Sequence, residues 1–440
     1  MKLPLRLASC IALVSALAVP TAFGATDIEL WHSMDGAAGQ QLGRIADDFN
    51  SSQSAYRVVP AFKGSSREAF DAGLAAQRSG HGPHILQVDD SLRGKAASLP
   101  RAFTPVYQVL QQARETLSAS AFVPVIANES LDQRGRLLSL PFDSSTPVLY
   151  YNRDAFTAAG LDPDKAPRTW LKVQEAALKV VDSETAPCGF TTDQPAWVHM
   201  ENLLAWHNEP FASVQNGPRG KEVRLVFNTR LMILHVGLLS SWVHSGLFRY
   251  FGRGKEGEQK FAAGECAMLT GSSGSIADIQ RKAKFHVGVG AMPLYEDFPA
   301  APSSALPGGG SLWVMAGKKK PEYVGVGKFL AYVSRPAVQA EWHQATGYLP
   351  TTEVAFKSVR KEGYPERHPG AEVALNELSG DPGARAKMTR FEQASAIRSI
   401  VDDELEAAWT RRKTPKDAVD AAVERGNQFL RTLLHAPKGK

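Results

Sequence analysis

The sequence predicts an α/β protein built as two lobes with a ligand cleft between them. Three observations lead there: strand and helix signals alternate from the mature N-terminus, a second α/β stretch follows a break near Leu140, and polar segments join the two regions at separate places. Asp27-Ile28-Glu29-Leu30-Trp31 alternates polar and apolar residues, as a short strand does. Leu42, Ile45, Ala46 and Phe49 fall on one helical face. Tyr56 to Phe62 reads as a second strand, Phe70, Leu74 and Ala75 mark a second helix, and His84 to Val88 is a third strand ending on Asp89-Asp90. Such open sheets bind ligands beyond the carboxyl ends of their strands, so the loops at Trp31–Met34, Lys63–Ser66 and Gln87–Asp90 are expected to share a rim.

Pro141-Phe142-Asp143-Ser144-Ser145-Thr146-Pro147 is a polar, proline-bracketed segment followed by the strand Val148–Tyr151. Beyond it, Thr169 is placed to cap a helix carrying Trp170, Val173, Ala177 and Val180. Further helices are expected at Trp197–Trp206 and near 229–246. A Pro/Ala/Ser-rich loop at 298–307 leads through Gly308-Gly309-Gly310 into the strand Ser311–Ala316, and helical stretches around 321–345 and 393–435 follow, before a fraying tail at 436–440. Two polar connections between α/β regions make a hinged cleft, a common small-molecule site.

The 440 residues are 43% hydrophobic and 22% charged, which excludes a disordered, fibrous or multi-span membrane chain. The formal charge is +5, or +3 without Lys2 and Arg6, too small for a nucleic-acid track or a polybasic anchor. Lys2 and Arg6, the apolar run Leu7–Val19 and Ala22-Phe23-Gly24 read as a secretory signal peptide over residues 1–24, which predicts export to the periplasm. Cys188 and Cys266 then remain, as one disulfide or as two buried thiols.

Catalytic signatures are missing: there is no GxxxxGK[ST] loop, no HExxH helix and no GxGxxG after the first strand. Gly271-Ser272-Ser273-Gly274-Ser275 lacks the last glycine of a nucleophile elbow. His81-x-x-His84 reads as a solvated turn, and Asp89 and Asp90, as strand neighbours, are expected to point apart. No cofactor and no metal are expected. Hydroxyl and backbone donors cluster instead at element starts. Ser272-Ser273-Gly274 leads into a helix at Ser275, where an anion could sit or where serine merely caps; Ser144-Ser145 is equally a donor pair or a hinge turn. Trp170, Trp197, Trp206 and Tyr348 stand near helix starts or loop edges, where a ring either stacks on a polyol or packs in a core. Arg398 flanks the stripe Ile397, Ile400, Val401 and Leu405; it faces inward to a phosphate or pairs on the surface with Asp402.

Six segments together resemble the glycerol-phosphate-binding branch of the extracellular solute-binding family that includes maltose-binding protein. They are Trp31–Gly36, Pro141–Asn152, Cys266-Ala267-Met268 with Ser272–Ser275, Gly309–Met315, Glu341–Gln344 with Thr346–Pro350, and Val423–Asn427. The likeness covers nearly the whole mature chain. It implies an N-terminal lobe of residues 25–143 and 309–350, a C-terminal lobe of residues 144–308 and 351–440, and a monomer that closes over sn-glycerol 3-phosphate and docks on an ABC permease. It places Ser145, Ser272, Gly309, Tyr348 and Arg398 at ligand-contact positions, with Trp170 stacking beside the ligand. Two positions differ from the branch: Ser66 replaces a tyrosine and Asp90 a glutamate. Both are smaller, which fits weaker binding or room for a glycerophosphodiester. The same fold carrying a neutral oligosaccharide is the alternative.

Overall fold

In the computed structural model, residues 24–217, 220–298, 305–361, 370–378 and 393–435 are described. The leader to residue 23, loop residues 299–304 and the tail 436–440 lie outside them.

The alternation at the N-terminus forms strand β1 (Thr26–His32), with Ile28 and Leu30 buried and Asp27 and Glu29 turned outward. The helix Gly36–Ser51 lays Leu42, Ile45, Ala46 and Phe49 against it, as the spacing predicted. Strand β2 (Tyr56–Phe62) pairs parallel to β1, and β3 (Ile85–Asp89) pairs parallel on its other side. Between β2 and β3 the helix Ser66–Arg78 opens on a reciprocal cap: Ser65 Oγ accepts from Glu68 N while the Glu68 carboxylate accepts from Ser65 N. Ser66 therefore sits in the first helical turn rather than in a loop. The third strand stops at Asp89, and the helix Asp90–Ala97 begins at once.

The chain leaves this sheet through β5 (Leu140–Ser145), which follows the short β4 (Phe103–Thr104), and enters a second sheet through β6 (Pro147–Asn152), with only Thr146 between them. The second lobe is the sheet β11-β6-β10-β7, from β7 (Thr191–Thr192), β10 (Met268–Ser272) and β11 (Val287–Gly290), together with a hairpin of β8 (Ala212–Gly217) and β9 (Gly220–Leu225). The chain then returns through β12 (Gly308–Met315), which inserts antiparallel between β3 and β4 and pairs with β5. A third crossing follows Tyr348, where Leu349 N donates to Ser144 O at 2.7 Å.

The stretch foreseen around 321–345 is two helices, Lys320–Val333 and Pro336–Thr346; that around 393–435 is likewise two, Ala394–Trp409 and Pro415–His435. Pro336 and Pro415 start new helices because proline fits a first turn and breaks an interior one.

One position on β12 admits only glycine. Gly309 has φ +90°, and a Cβ there would lie 1.7 Å from Asp143 O, so any side chain would force β12 away from β5.

Cys188 and Cys266 form a disulfide, which resolves the two readings left open above, and the bridge ties the start of β10 to the segment before β7 across 78 residues. Replacing both cysteines by alanine is expected to destabilise the protein by about 2–4 kcal/mol, because so long a loop is restored to the unfolded chain. Urea denaturation of the variant against the oxidised parent checks this, and reducing the parent should reproduce the shift.

Candidate functional site

The rim of the first lobe is a chain of hydrogen bonds between strand ends. Ser66 Oγ lies 3.1 Å from Ser33 Oγ, Ser33 Oγ donates to Gln87 Oε1 at 2.9 Å, and Gln87 Nε2 donates to Asp143 Oδ2 at 3.1 Å. Three loops predicted to share a rim do so, and β5 joins them. Gly309 packs against Asp143 through its backbone, and Ser145 stands opposite Gly308 on the paired strands.

The facing lobe contributes the turn Ser272–Ser275. Ser272 Oγ accepts from Gly274 N at 3.2 Å, Ser273 N donates to Thr146 O, and a short 3₁₀ turn precedes the seven-residue helix Ile276–Lys282. Gly274 permits a close approach, and what approaches is Tyr348: a Cβ at Gly274 would meet its ring at 2.5 Å. Tyr348 stacks on Trp342 with centroids 5.7 Å apart, and Trp342 stacks on Phe142 in turn. The ring at the lobe junction is therefore held by the core of the first lobe.

Arg398 does not pair with Asp402, whose Oδ1 accepts instead from Ala196 N at 3.1 Å. Its Nε and Nη2 each donate to the Glu201 carboxylate at 2.7 Å, and Nη2 also donates to Asp90 Oδ2 across the cleft at 2.7 Å. The three side chains are 18%, 6% and 15% exposed for Arg398, Glu201 and Asp90. Burial works against the Arg398 charge, but Asp90 and Glu201 outweigh it and hold the guanidinium far above its ordinary value. Burial would raise Asp90 as well, and Arg398 overcomes that, leaving its carboxyl below the usual range.

Asp90 and Arg398 line a cavity of about 240 Å³ together with Arg93, Glu129, Trp197 and Glu201. Ser66, Ser145, Ser272, Gly309 and Tyr348 are not in its wall: Ser66 opens a helix beside Ser33, Ser145 and Gly309 sit on paired crossing strands, and Tyr348 lies against the turn that Ser272 begins. Trp170 is not at the cleft. Its ring is completely buried in the second lobe, against Phe190, His235 and Trp242, so it presents no face to a ligand. Trp197 is the indole that borders the cavity.

Asp89 and Asp90 do not point apart as strand neighbours would. The strand has ended, Asp89 caps the following helix by accepting from Ser91 N, and the two carboxyls lie side by side. Burial, with the Asp90 charge added, pushes Asp89 up to about 6. Burial likewise pushes Asp143 up to about 7. His84 of the close histidine pair, just before β3, accepts a hydrogen bond from Glu29 N of β1.

Further ties cross the cleft, among them Arg67 Nη2 donating to Ser395 Oγ at 2.9 Å. Asp278 Oδ1 accepts from Ala37 N at the start of the helix Gly36–Ser51, where Asp35 makes no side-chain cap. Lys255 Nζ donates to Asp35 at 2.6 Å. Neither Asp278 nor Glu201 was singled out from the sequence. Glu201 did leave a signal: one carboxylate inside the apolar helical run Ala196–Trp206 demands a cationic partner.

A sequence model of the family described as bacterial extracellular solute-binding protein matches residues 44–369. The sn-glycerol-3-phosphate-binding periplasmic protein UgpB of Yersinia pestis bv. Antiqua (strain Antiqua) is 45% identical over 438 residues, covering 98% of each chain. Its namesake from Salmonella paratyphi A is 44% identical, covering 95% of each. Among solved structures, UgpB from Mycobacterium tuberculosis in complex with glycerophosphocholine aligns with a TM-score of 0.76 at 21% identity, over 94% of this chain and 100% of that one. Maltose-bound T. maritima MalE3 aligns at 0.72 and 17% identity, over 93% and 100%. Both share the two-lobed fold.

The raised Asp143 carboxyl has a consequence for stability. The folded protein keeps this proton to about pH 7, whereas the unfolded chain releases it near pH 4, so the neutral acid's contribution is full below about pH 4 and lost as pH rises to 7. Asp143→Asn, neutral throughout, should gain on the parent by on the order of 2–4 kcal/mol between pH 4 and pH 8. Denaturant midpoints of both proteins at the two pH values test it.

Proposed function

The chain belongs to the bacterial extracellular solute-binding protein family, and from that premise we propose that it captures sn-glycerol 3-phosphate, or a glycerophosphodiester, in the periplasm and hands it to the permease of an ABC importer. It is a solute-binding protein, not an enzyme. Likeness to the glycerol-3-phosphate-binding relatives over 98% of the chain carries the reading. The geometry agrees with it: a buried guanidinium reaches the cavity wall between the lobes, and hydroxyls gather at the rim of the first lobe and at the turn of the second.

Residues 25–143 with 309–350 form one lobe of this proposal, and 144–308 with 351–440 the other, acting as a monomer. Arg398 and Ser272 donate to the phosphate, and the Gly309 backbone lies against it. Asp90, Ser66 and Ser145 take the glycerol hydroxyls, and Tyr348 covers the carbon face. Trp170 drops out of the set because its ring is enclosed, and Trp197 takes its place as the aromatic wall. Contacts drawn from both lobes favour the closed form by the ligand's differential affinity, and the permease reads closure.

Calorimetry on the mature protein with sn-glycerol 3-phosphate, glycerol and maltose tests the substrate. Heat with the phosphoester alone is expected; binding of maltose without the phosphoester overturns the reading in favour of a neutral oligosaccharide. Arg398→Ala should weaken phosphoester binding by about 2–5 kcal/mol. Unchanged affinity would leave Arg398 as a lobe-to-lobe tie only.

A further inference from the structure

The helix Gly36–Ser51 begins without a cap from its own lobe. Asp35 precedes it in extended geometry but makes no side-chain cap, and its carboxylate is turned to Lys255. The first turn, Gly36-Ala37-Ala38-Gly39, carries neither an acid nor a hydroxyl. The leading N–H groups of such a turn find no carbonyl within the helix. The one at Ala37 is met from the other lobe, by Asp278 Oδ1 at 3.0 Å. Gly36 makes the approach possible: its φ is +54°, and a Cβ there would collide with the Asp278 carboxylate. Asp278 is buried, and Arg281 on its own helix donates to the same oxygen.

Asp278 also lies on the segment that carries Ser272. From Ser272 the chain makes the turn Ser273–Ser275 and passes straight into the helix Ile276–Lys282, with Asp278 at its third position. The near end is pinned at the crossing, where Ser273 N donates to Thr146 O at 2.8 Å. Rotation about the crossing therefore moves Ser272 and Asp278 together.

We propose that Asp278 is a positioning residue for ligand binding: it caps the helix of the opposite lobe only when the cleft is closed, and so raises affinity without touching the ligand. Neither Asp278, Gly36 nor Ala37 lines the cavity beside Arg398. In a parted cleft the Ala37 N–H and the Asp278 carboxylate each return to water. On closure the carboxylate meets both the donor and the partial positive charge of a sixteen-residue helix. Apparent affinity scales with the fraction of protein able to close on its ligand, so a contact made only on closure acts on binding from a distance. The neighbouring Lys255–Asp35 pair is half-exposed and adds less by itself, but it keeps Asp35 from capping its own helix. This rests on the closing motion of the function proposed above.

Calorimetry and stopped-flow dissociation with sn-glycerol 3-phosphate, on the mature protein, measure the effect. Asp278→Ala should weaken binding about 2- to 30-fold, the range of a lost helix cap. The loss should fall chiefly on the dissociation rate. Asp278→Asn keeps an acceptor oxygen and should lie between the alanine variant and the parent. Asp35→Ser keeps the proposal testable should the Asp278 variants fold poorly, because serine caps the helix from its own lobe. Its melting temperature without ligand should match or exceed the parent's, while its affinity falls; a merely structural Asp278 would leave that affinity unchanged. Asp278→Ala added to Asp35→Ser should then cost less than in the parent, since the donor is already answered. Parental affinity in Asp35→Ser or in a folded Asp278→Ala, or additive losses in the pair, overturns the proposal and leaves the glycerol-phosphate function standing. A parent that binds neither sn-glycerol 3-phosphate nor a glycerophosphodiester overturns that function, and this proposal with it.

Discussion

A guanidinium withdrawn from water must be met by charge, and Arg398 is met from both sides of a cleft. Glu201 holds it from its own lobe through two hydrogen bonds, and Asp90 reaches it from the other. Removing either acid would leave a buried cation partly unanswered, a change that typically costs several kcal/mol. The pairing therefore does two jobs. It orients the arginine toward the cavity, and it makes the relative position of the lobes part of the arginine's own stabilisation. In the proposed function, a ligand that took over hydrogen bonds from Asp90 would alter that balance directly and so couple closure to chemistry as well as to shape.

The closing motion of the proposed function needs a hinge that bends without losing its register, and the three crossings are placed to serve as one. Strand β5 runs into β6 with only Thr146 between the two sheets, and Thr146 is clasped at both backbone polar groups: Ser273 N donates to its carbonyl and its own N–H donates to Ser273 Oγ. Beside it, Gly309 brings β12 against Asp143, and Leu349 N reaches Ser144 O. The crossing segments thus carry Ser145, Gly309 and Tyr348 at the junction between the lobes. Elsewhere the lobes meet through Asp278 on the N–H of Ala37, Lys255 on Asp35 and Arg67 on Ser395. The second is half-exposed, so it orients more than it stabilises. The first answers an unpaired donor at the start of a sixteen-residue helix, whose partial positive charge favours a carboxylate there.

Most of the fold was legible because strands and helices announce themselves by period. The alternation at Asp27–Trp31 and the stripe from Leu42 to Phe49 each gave an element within a few residues of its observed bounds. Thr169 caps its helix by accepting from Lys172 N, as its position suggested. What failed was anything that depends on which way a residue turns at an element boundary. Asp89 and Asp90 were read as alternating along a strand, but the strand ends between them and both join one acidic group. Trp170 follows a cap and so could face either way; four buried rings of the second lobe claim it. Arg398 had an acid at helical spacing in Asp402, yet local spacing lost to a bidentate partner 197 residues away that no period could reveal.

The partner became available through an irregularity. Residues Ala196–Asn202 form a π-helical stretch before the chain returns to α geometry at Leu203. Wider winding inserts one extra residue into a turn, so side chains that an α-helix would spread around its circumference are rotated relative to one another, which is why such turns recur at functional sites. Here the stretch puts Trp197 and Glu201 on one cavity wall while His199 turns into the lobe core, 3.0 Å from His235. Backbone continuity is kept by side chains: Asn202 Nδ2 donates to Trp197 O, and Asp402, freed from Arg398, accepts from Ala196 N at the start of the stretch. The two acids near Arg398 on the second lobe have thus divided the work. Asp402 secures the irregular turn, and the turn delivers Glu201 to the arginine; an ordinary helix with Asp402 on Arg398 would have left the cleft with a surface ion pair and no oriented cation.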